Sequence, residues 1–266
     1  MKQLNQFITE YIVKKKLDKP IDSEDHYEYY PKTKDELIYN IKNLIKQDIY
    51  DFNCIDTSEI TDMSHLFDDY LYDKIRNKNF NVSSWNVKNV KDMNSMFNNS
   101  LYYFNCDLSN WDVSNVENMG FMFNYCTSFE GKGLENWDVS NVKHMDMMFN
   151  YCTKFNGKSV ENWNVSNLIW ARNMFCKCEN FDCDLSNWDV SKVENMISMF
   201  LDCKSFKGKG LENWDVSNVK KMNYMFDNCI KFNCDLSKWD VSNVIDMNNM
   251  FYNCLSLKNK PAWYKE

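Results

Sequence analysis

The chain has 266 residues, 44% of them apolar and 26% charged, with a net charge of −7, a mean hydropathy of −0.61 and an isoelectric point near 5.1. That length is enough for a continuous core, and the composition is that of a soluble globular protein rather than a disordered or membrane-embedded one. The acidic balance lacks the basic surplus that drives binding to phosphate backbones, so no nucleic-acid partner is expected and a basic partner fits better.

The first twenty residues, MKQLNQFITEYIVKKKLDKP, carry polar side chains too often for a secretory leader, and no later apolar run reaches the roughly 18 to 20 residues of a spanning helix. The chain is therefore expected inside the cell that makes it, with no membrane span. Residues 1–17 place Leu4, Phe7, Ile8, Tyr11 and Ile12 on one helical face, which predicts a helix that either caps the fold or acts as a detachable docking peptide. After a linker holding Pro20 and Pro31, Thr33 and Glu36 form a capping box that opens a second helix to about Lys46, with Leu37, Ile38, Ile41, Leu44 and Ile45 on one face. Residues 1–50 are read as N-terminal helices and cap, and 51–266 as the repeat domain.

From there a repeat takes over. The unit WDVSNVxxMxxMFxxCxxF recurs with tryptophan at Trp85, Trp111, Trp137, Trp163, Trp188, Trp214 and Trp239, at spacings of 26, 26, 26, 25, 26 and 25. An earlier copy puts Ile55 in the tryptophan column and Phe67 in the MF column, and a fragment follows at Trp263. Residues 69–79 read as a surface insertion. Counting each tryptophan as zero, apolar residues at −3, 0 and +2 predict a short strand. Those at +5, +8, +11, +12 and +15, for example Val116, Met119, Met122, Phe123 and Cys126, predict a helix of about three turns. Serine at +3 sits where an N-cap is wanted, with Ser114–Glu117 and Ser191–Glu194 as capping boxes. The fold class expected is thus α/β: a leucine-rich-repeat-like solenoid, or horseshoe, of about eight 25–26-residue strand–helix repeats with an N-terminal helical cap.

The tract WDVSNVxxMxxMFxxCxxF resembles the BspA-like leucine-rich repeat family, in the form also seen in mycoplasma surface lipoproteins, over about residues 52–257. The resemblance implies a repeat array used in adhesion or protein binding. Surface members carry a signal peptide, and its lack here argues against surface display and leaves a cytoplasmic or virion role open.

Chemistry-bearing residues are few. Eleven cysteines without a secretory signal point to free thiols, and Cys178 belongs to a +15 ladder with Cys126, Cys152, Cys203, Cys229 and Cys254, so packing is the expected role rather than zinc binding. Gly157-Lys158-Ser159 lacks the upstream glycine of a P-loop. No catalytic group, metal or cofactor is expected. On the strand face, the +1 row Asp112, Asp138, Asn164, Asp189, Asp215 and Asp240 sets carboxylates about 5 Å apart, which need local donors, a cation or a basic partner. On the helix face, Phe121, Met147, Trp170, Ile197 and Tyr224 are apolar where other copies are polar, a contact-patch candidate. The functional expectation is a non-enzymatic, protein-interaction repeat scaffold, monomeric, binding a protein or peptide. The alternative is a structural component or packaged cargo of a phage or virus particle.

Overall fold

The computed structural model describes residues 27–67, 70–98 and 103–265; the helix predicted over 1–17 lies outside them. The second predicted helix forms as α1, Lys34–Lys46, with the Thr33 side chain accepting from the Glu36 N–H at 3.2 Å. The Glu36 carboxylate reaches back to the Lys32 N–H at 2.7 Å, one residue before the cap. Asp35 and Glu36 in the first turn and Lys46 in the last complement the helix dipole. Its apolar face, Leu37, Ile41, Leu44 and Ile45, joins the core beside Phe52 and Ile55 of the first repeat copy.

The repeat itself does not build the strand–helix unit that its periodicity predicts. Among the described residues the remaining helical elements are α2 (Tyr70–Ile75) and single 3-10 turns at Leu134–Asn136, Lys158–Val160 and Leu211–Asn213. Extended pairing is limited to isolated parallel bridges, such as Asn118↔His144 and His144↔Trp170. The α/β leucine-rich-repeat-like solenoid, with its horseshoe of strands and helices, is therefore overturned. Each copy is instead a coil of consecutive turns.

The backbone shows why no helix forms. In the six coils from Trp111 to Trp239 two positions, +10 and +14, are held at positive φ, as in Phe121 (58°) and Tyr125 (61°), Met147 (53°) and Tyr151 (61°), or Ser198 (52°) and Asp202 (59°). A left-handed residue costs about 1–2 kcal/mol and ends a right-handed helix wherever it occurs, so two of them four residues apart leave no room for three turns. Between them the N–H groups alternate in use. Those of Met122, Asn124 and Cys126 close turns onto Met119, Phe121 and Phe123 at 2.9–3.2 Å, while those of Met119, Phe121, Phe123 and Tyr125 donate to His144, Asp146, Met148 and Asn150 of the next coil at 2.7–2.9 Å.

The columns read from the sequence do form the core. Trp, Val, Met, Phe and Cys of successive coils are buried together, with Trp111, Trp137 and Trp163 stacked at 6.3 Å between ring centroids and within 3° of parallel. Each indole N–H also donates to the −3 carbonyl of the preceding coil: Trp111 to Val82 at 3.0 Å, Trp137 to Leu108 at 3.1 Å, Trp163 to Leu134 at 2.8 Å, Trp239 to Leu211 at 2.8 Å. The column is tryptophan because no other apolar side chain carries that donor. Ile55 needs none, since Tyr29 pairs with it instead of a preceding coil. The insertion is not merely superficial, because α2 buries Leu71 and Ile75.

The G-K-G connections have a steric origin. Gly133 and Gly210 sit at φ 92° and 93°, and a Cβ there would lie 2.2 Å from the backbone nitrogens of Ser109 and Ser186 in the preceding coil. Gly120 differs, since its added Cβ would meet only the movable Asn94 side-chain amide, at 2.8 Å. Gly210→Ala is therefore expected to destabilise the chain by more than about 1 kcal/mol, and Gly120→Ala by less. Trp137→Phe, which keeps an aromatic ring but loses the indole hydrogen bond and part of the ring volume while the Leu108 carbonyl retains the Trp111 N–H, should cost about 1–3 kcal/mol, against about 3–5 for Trp137→Ala. Chemical denaturation of the four variants checks both orderings.

Candidate functional site

The +1 row proposed from the sequence is exposed along its length, but its members are already occupied. Asp112, Asp138, Asn164, Asp189, Asp215 and Asp240 each accept the N–H of the serine two residues on, at 3.0–3.2 Å. These are Asx turns, in which a short acceptor side chain substitutes for a backbone carbonyl. Donors from Ser114, Ser191 and Ser242 hold Asp112, Asp189 and Asp240 below the usual carboxylate range. Serine +3 is thus a turn donor and not a helix cap. The anticipated boxes Ser114–Glu117 and Ser191–Glu194 are replaced by inter-coil ion pairs, Glu117 with Lys143 at 2.7 Å and Glu194 with Lys220 at 2.6 Å. Without a sheet, the row has no concave strand face to line.

One further polar column was not singled out from the sequence. The +4 asparagines bridge coils through their side-chain N–H groups, Asn115 to Lys88, Asn141 to Ser114, Asn167 to Ser140 and Asn218 to Ser191, at 2.7–2.8 Å onto the carbonyls. Their near-invariance in WDVSNV was the available signal. The +15 cysteines pack as expected and also donate: Cys126 to Phe97, Cys152 to Phe123, Cys178 to Phe149 and Cys203 to Phe175, at 3.0–3.3 Å from Sγ to carbonyl. Burial raises these thiols well above their ordinary value. Among the described residues no three His, Cys, Asp or Glu side chains converge on one point.

The apolar candidates occupy three columns rather than one row. Phe121, Met147 and Tyr224 share +10, where Phe121 and Met147 are half-buried in adjacent coils and Tyr224 is exposed beyond Asn173 and Ser198. Trp170 stands at +7 as a bridge residue between His144 and Asn195, exposed at 38%. Ile197 stands at +9, half-buried, its N–H on the Asn195 side-chain oxygen at 3.0 Å. What the structure does bring together is the neighbouring +14 column: Tyr125 and Tyr151 stack at 4.1 Å, and Lys177 lies over the Tyr151 ring at 4.6 Å and donates to its hydroxyl at 2.7 Å. Asp202 follows at 4.0 Å from Lys177. The column reads Tyr, Tyr, Lys, Asp, Asn, Asn from coil to coil, and this variation beside a uniform cysteine column was its sequence signal.

The profile of the family described as "Mycoplasma protein of unknown function, DUF285" matches residues 35–158, 126–211 and 203–265. The chain belongs to this family. No curated protein and no solved structure matches it. Among the described residues no helix is long and apolar enough to cross a membrane.

Ion pairs between coils make the array acid-sensitive. Lys132, 2.8 Å from Asp107, and Lys209, 2.7 Å from Asp184, hold those carboxyls at about 2. Both titrate lower folded than unfolded, so their contribution is complete above about pH 4 and is lost as pH falls towards 2. Being exposed, they are expected to contribute little each, and Asp107→Asn/Asp184→Asn should flatten the acid limb of a stability titration. Alkylation at pH 8 should modify half-buried Cys54, Cys234 and Cys254 first, while Cys126, Cys152, Cys178 and Cys203 react only at the rate of unfolding, as peptide mapping would show.

Proposed function

We propose that this chain is a non-enzymatic protein-interaction scaffold whose uniform columns build the stack and whose variable columns, on the side of each coil that carries the MF pair, read a protein or peptide partner. One observation carries the reading. The side chains that repeat from copy to copy are consumed within the structure, tryptophan, cysteine and asparagine by the preceding coil and aspartate by its own turn. Differences between copies include +7, +9, +10 and +14, where Trp170, Tyr224 and Tyr125 present ring surface. Rigid aromatics with partly exposed faces are the side chains that most often dominate binding energy. The likeness of the WDVSNV tract to BspA-type repeats supports an adhesion or protein-binding use.

The Asp112–Asp240 row has a secondary part in this reading. Its carboxylates need no ligand, and together with the net charge of −7 they speed the approach of a basic partner without specifying it. Replacing Tyr125, Trp170 and Tyr224 with Ser should abolish partner binding with a change in stability within about 0.5 kcal/mol at Trp170 and Tyr224 and of about 0.5–1.5 kcal/mol at Tyr125, whose stack on Tyr151 is lost. Replacing Asp138, Asp189 and Asp215 with Ala should lower stability by roughly 0.5–2 kcal/mol per site and slow association, leaving dissociation unchanged. Binding kinetics at two salt concentrations, with denaturation of each variant, measure all of this; a partner indifferent to both sets of changes contradicts the reading.

A further inference from the structure

We propose that the open end of the stack, along Met247–Asn253 of the last coil, is a docking edge for a segment of a partner protein that folds in turns as the internal coils do, with apolar side chains in the spacing Met-x-x-Met-Phe. The proposal rests on the scaffold reading and specifies the chemistry of the partner.

The edge is defined by what covers its equivalents. At the preceding junction the N–H groups of Met222, Tyr224, Phe226 and Asn228 donate to the carbonyls of Asp246, Asn248, Met250 and Tyr252 at 2.9, 3.0, 3.0 and 2.8 Å. The same set recurs at the junctions before it, as from Met119, Phe121, Phe123 and Tyr125. One coil later, the N–H groups of Met247, Asn249, Phe251 and Asn253 have no acceptor among the described residues. The apolar columns are uncovered with them: Val216, Val219 and Met222 are buried, whereas Val241, Val244 and Met247 are half-exposed. Ile245 at 76%, Tyr252 at 65% and Leu255 at 76% stand beside them.

Only half of this end is open. Trp263 stacks on Trp239 at 6.3 Å and donates to the Leu236 carbonyl at 2.9 Å, which continues the tryptophan ladder and closes that side. A groove of about 470 Å³ runs from Tyr224 past Asn248, Asn249 and Tyr252 to Tyr264 and Lys265. Donors at alternate residues call for a backbone offering carbonyls at alternate residues, which a segment folded in turns like the internal coils does and a helix, its carbonyls already bonded, does not. The internal junctions show the side chains such a segment brings, at +8, +11 and +12. A second copy of the chain fits less well. At the opposite end, α1 packs on the first coil, with Lys34 on Asp62 and Ser64, and two open ends brought together would set N–H against N–H.

The test uses a fluorescent peptide with the chain's own residues 240–254, Cys254→Ser, which has the side chains of a covering coil, titrated into the full chain and followed by anisotropy. Binding at least tenfold tighter than a scrambled peptide of the same composition is expected. Hydrogen exchange at the Met247, Asn249, Phe251 and Asn253 amides should slow on binding. The exposed triple variant Ile245→Lys/Tyr252→Lys/Leu255→Lys should fold and weaken binding at least tenfold. No preference over the scrambled peptide, unaltered exchange, or undiminished binding to the triple variant overturns the proposal. So does a dimer in sedimentation that the triple variant dissolves, because the occupant is then a second copy. A Tyr125→Ser/Trp170→Ser variant, which leaves Tyr224 in place because it lines the groove, separates the two readings: a partner that depends on those two residues and not on the edge leaves the scaffold function standing while the edge proposal fails.

Discussion

Every coil depends on its neighbour for backbone hydrogen bonds. From +8 to +14 alternate N–H groups point along the stack and find their acceptors in the next coil, as Met145, Met147, Phe149 and Tyr151 do on Trp170, Arg172, Met174 and Cys176. A buried N–H without an acceptor costs about 1–3 kcal/mol, so a single coil cannot exist by itself and the array is stable only as a stack. The helix that closes one end and the tryptophan that closes half of the other follow from this constraint.

The side chains repeat the same logic one level up. Indole, thiol and primary amide are three unlike donors, yet at 0, +15 and +4 each reaches back to a carbonyl of the preceding coil. Oppositely charged pairs follow the same step, Asp107 with Lys132, Glu179 with Lys204 and Asp184 with Lys209. The stack is therefore bonded by its core as well as packed by it. A mutation at one column member is felt at two junctions, whereas variable surface positions differ, since Tyr125, Tyr151 and Lys177 touch across coils while Tyr224 stands exposed. At positions of the latter kind, evolution of a binding surface can proceed apart from maintenance of the fold, the arrangement a recognition scaffold requires.

Much of this was legible before any coordinates. The repeat period, the buried columns from Leu108 and Trp111 to Cys126, the packing role of the cysteines and the start of α1 at Thr33 all follow from periodicity and capping chemistry. The candidate surface was legible in part. Trp170 and Tyr224 are exposed as read, while Phe121, Met147 and Ile197 are half-buried, and the Tyr125–Tyr151–Lys177 contact was not read from the sequence.

The strand–helix reading failed for a definite reason. One-sided apolar spacing at +5, +8, +11, +12 and +15 is what a helix needs, and it is equally what a chain of turns needs when each turn must place one side chain inwards. Periodicity reports which side chains face the core, and it is blind to the sign of φ. Residues such as Phe121, Met147 and Tyr125 carry no local signal for the left-handed region that they occupy, since a β-carbon disfavours it in any isolated segment. The sequence by itself determined which residues are buried and how often the pattern returns. Only the tertiary structure decided the backbone, because the hydrogen bonds that offset about 1–2 kcal/mol of strain at each left-handed position come from the next coil and do not exist until it is in place.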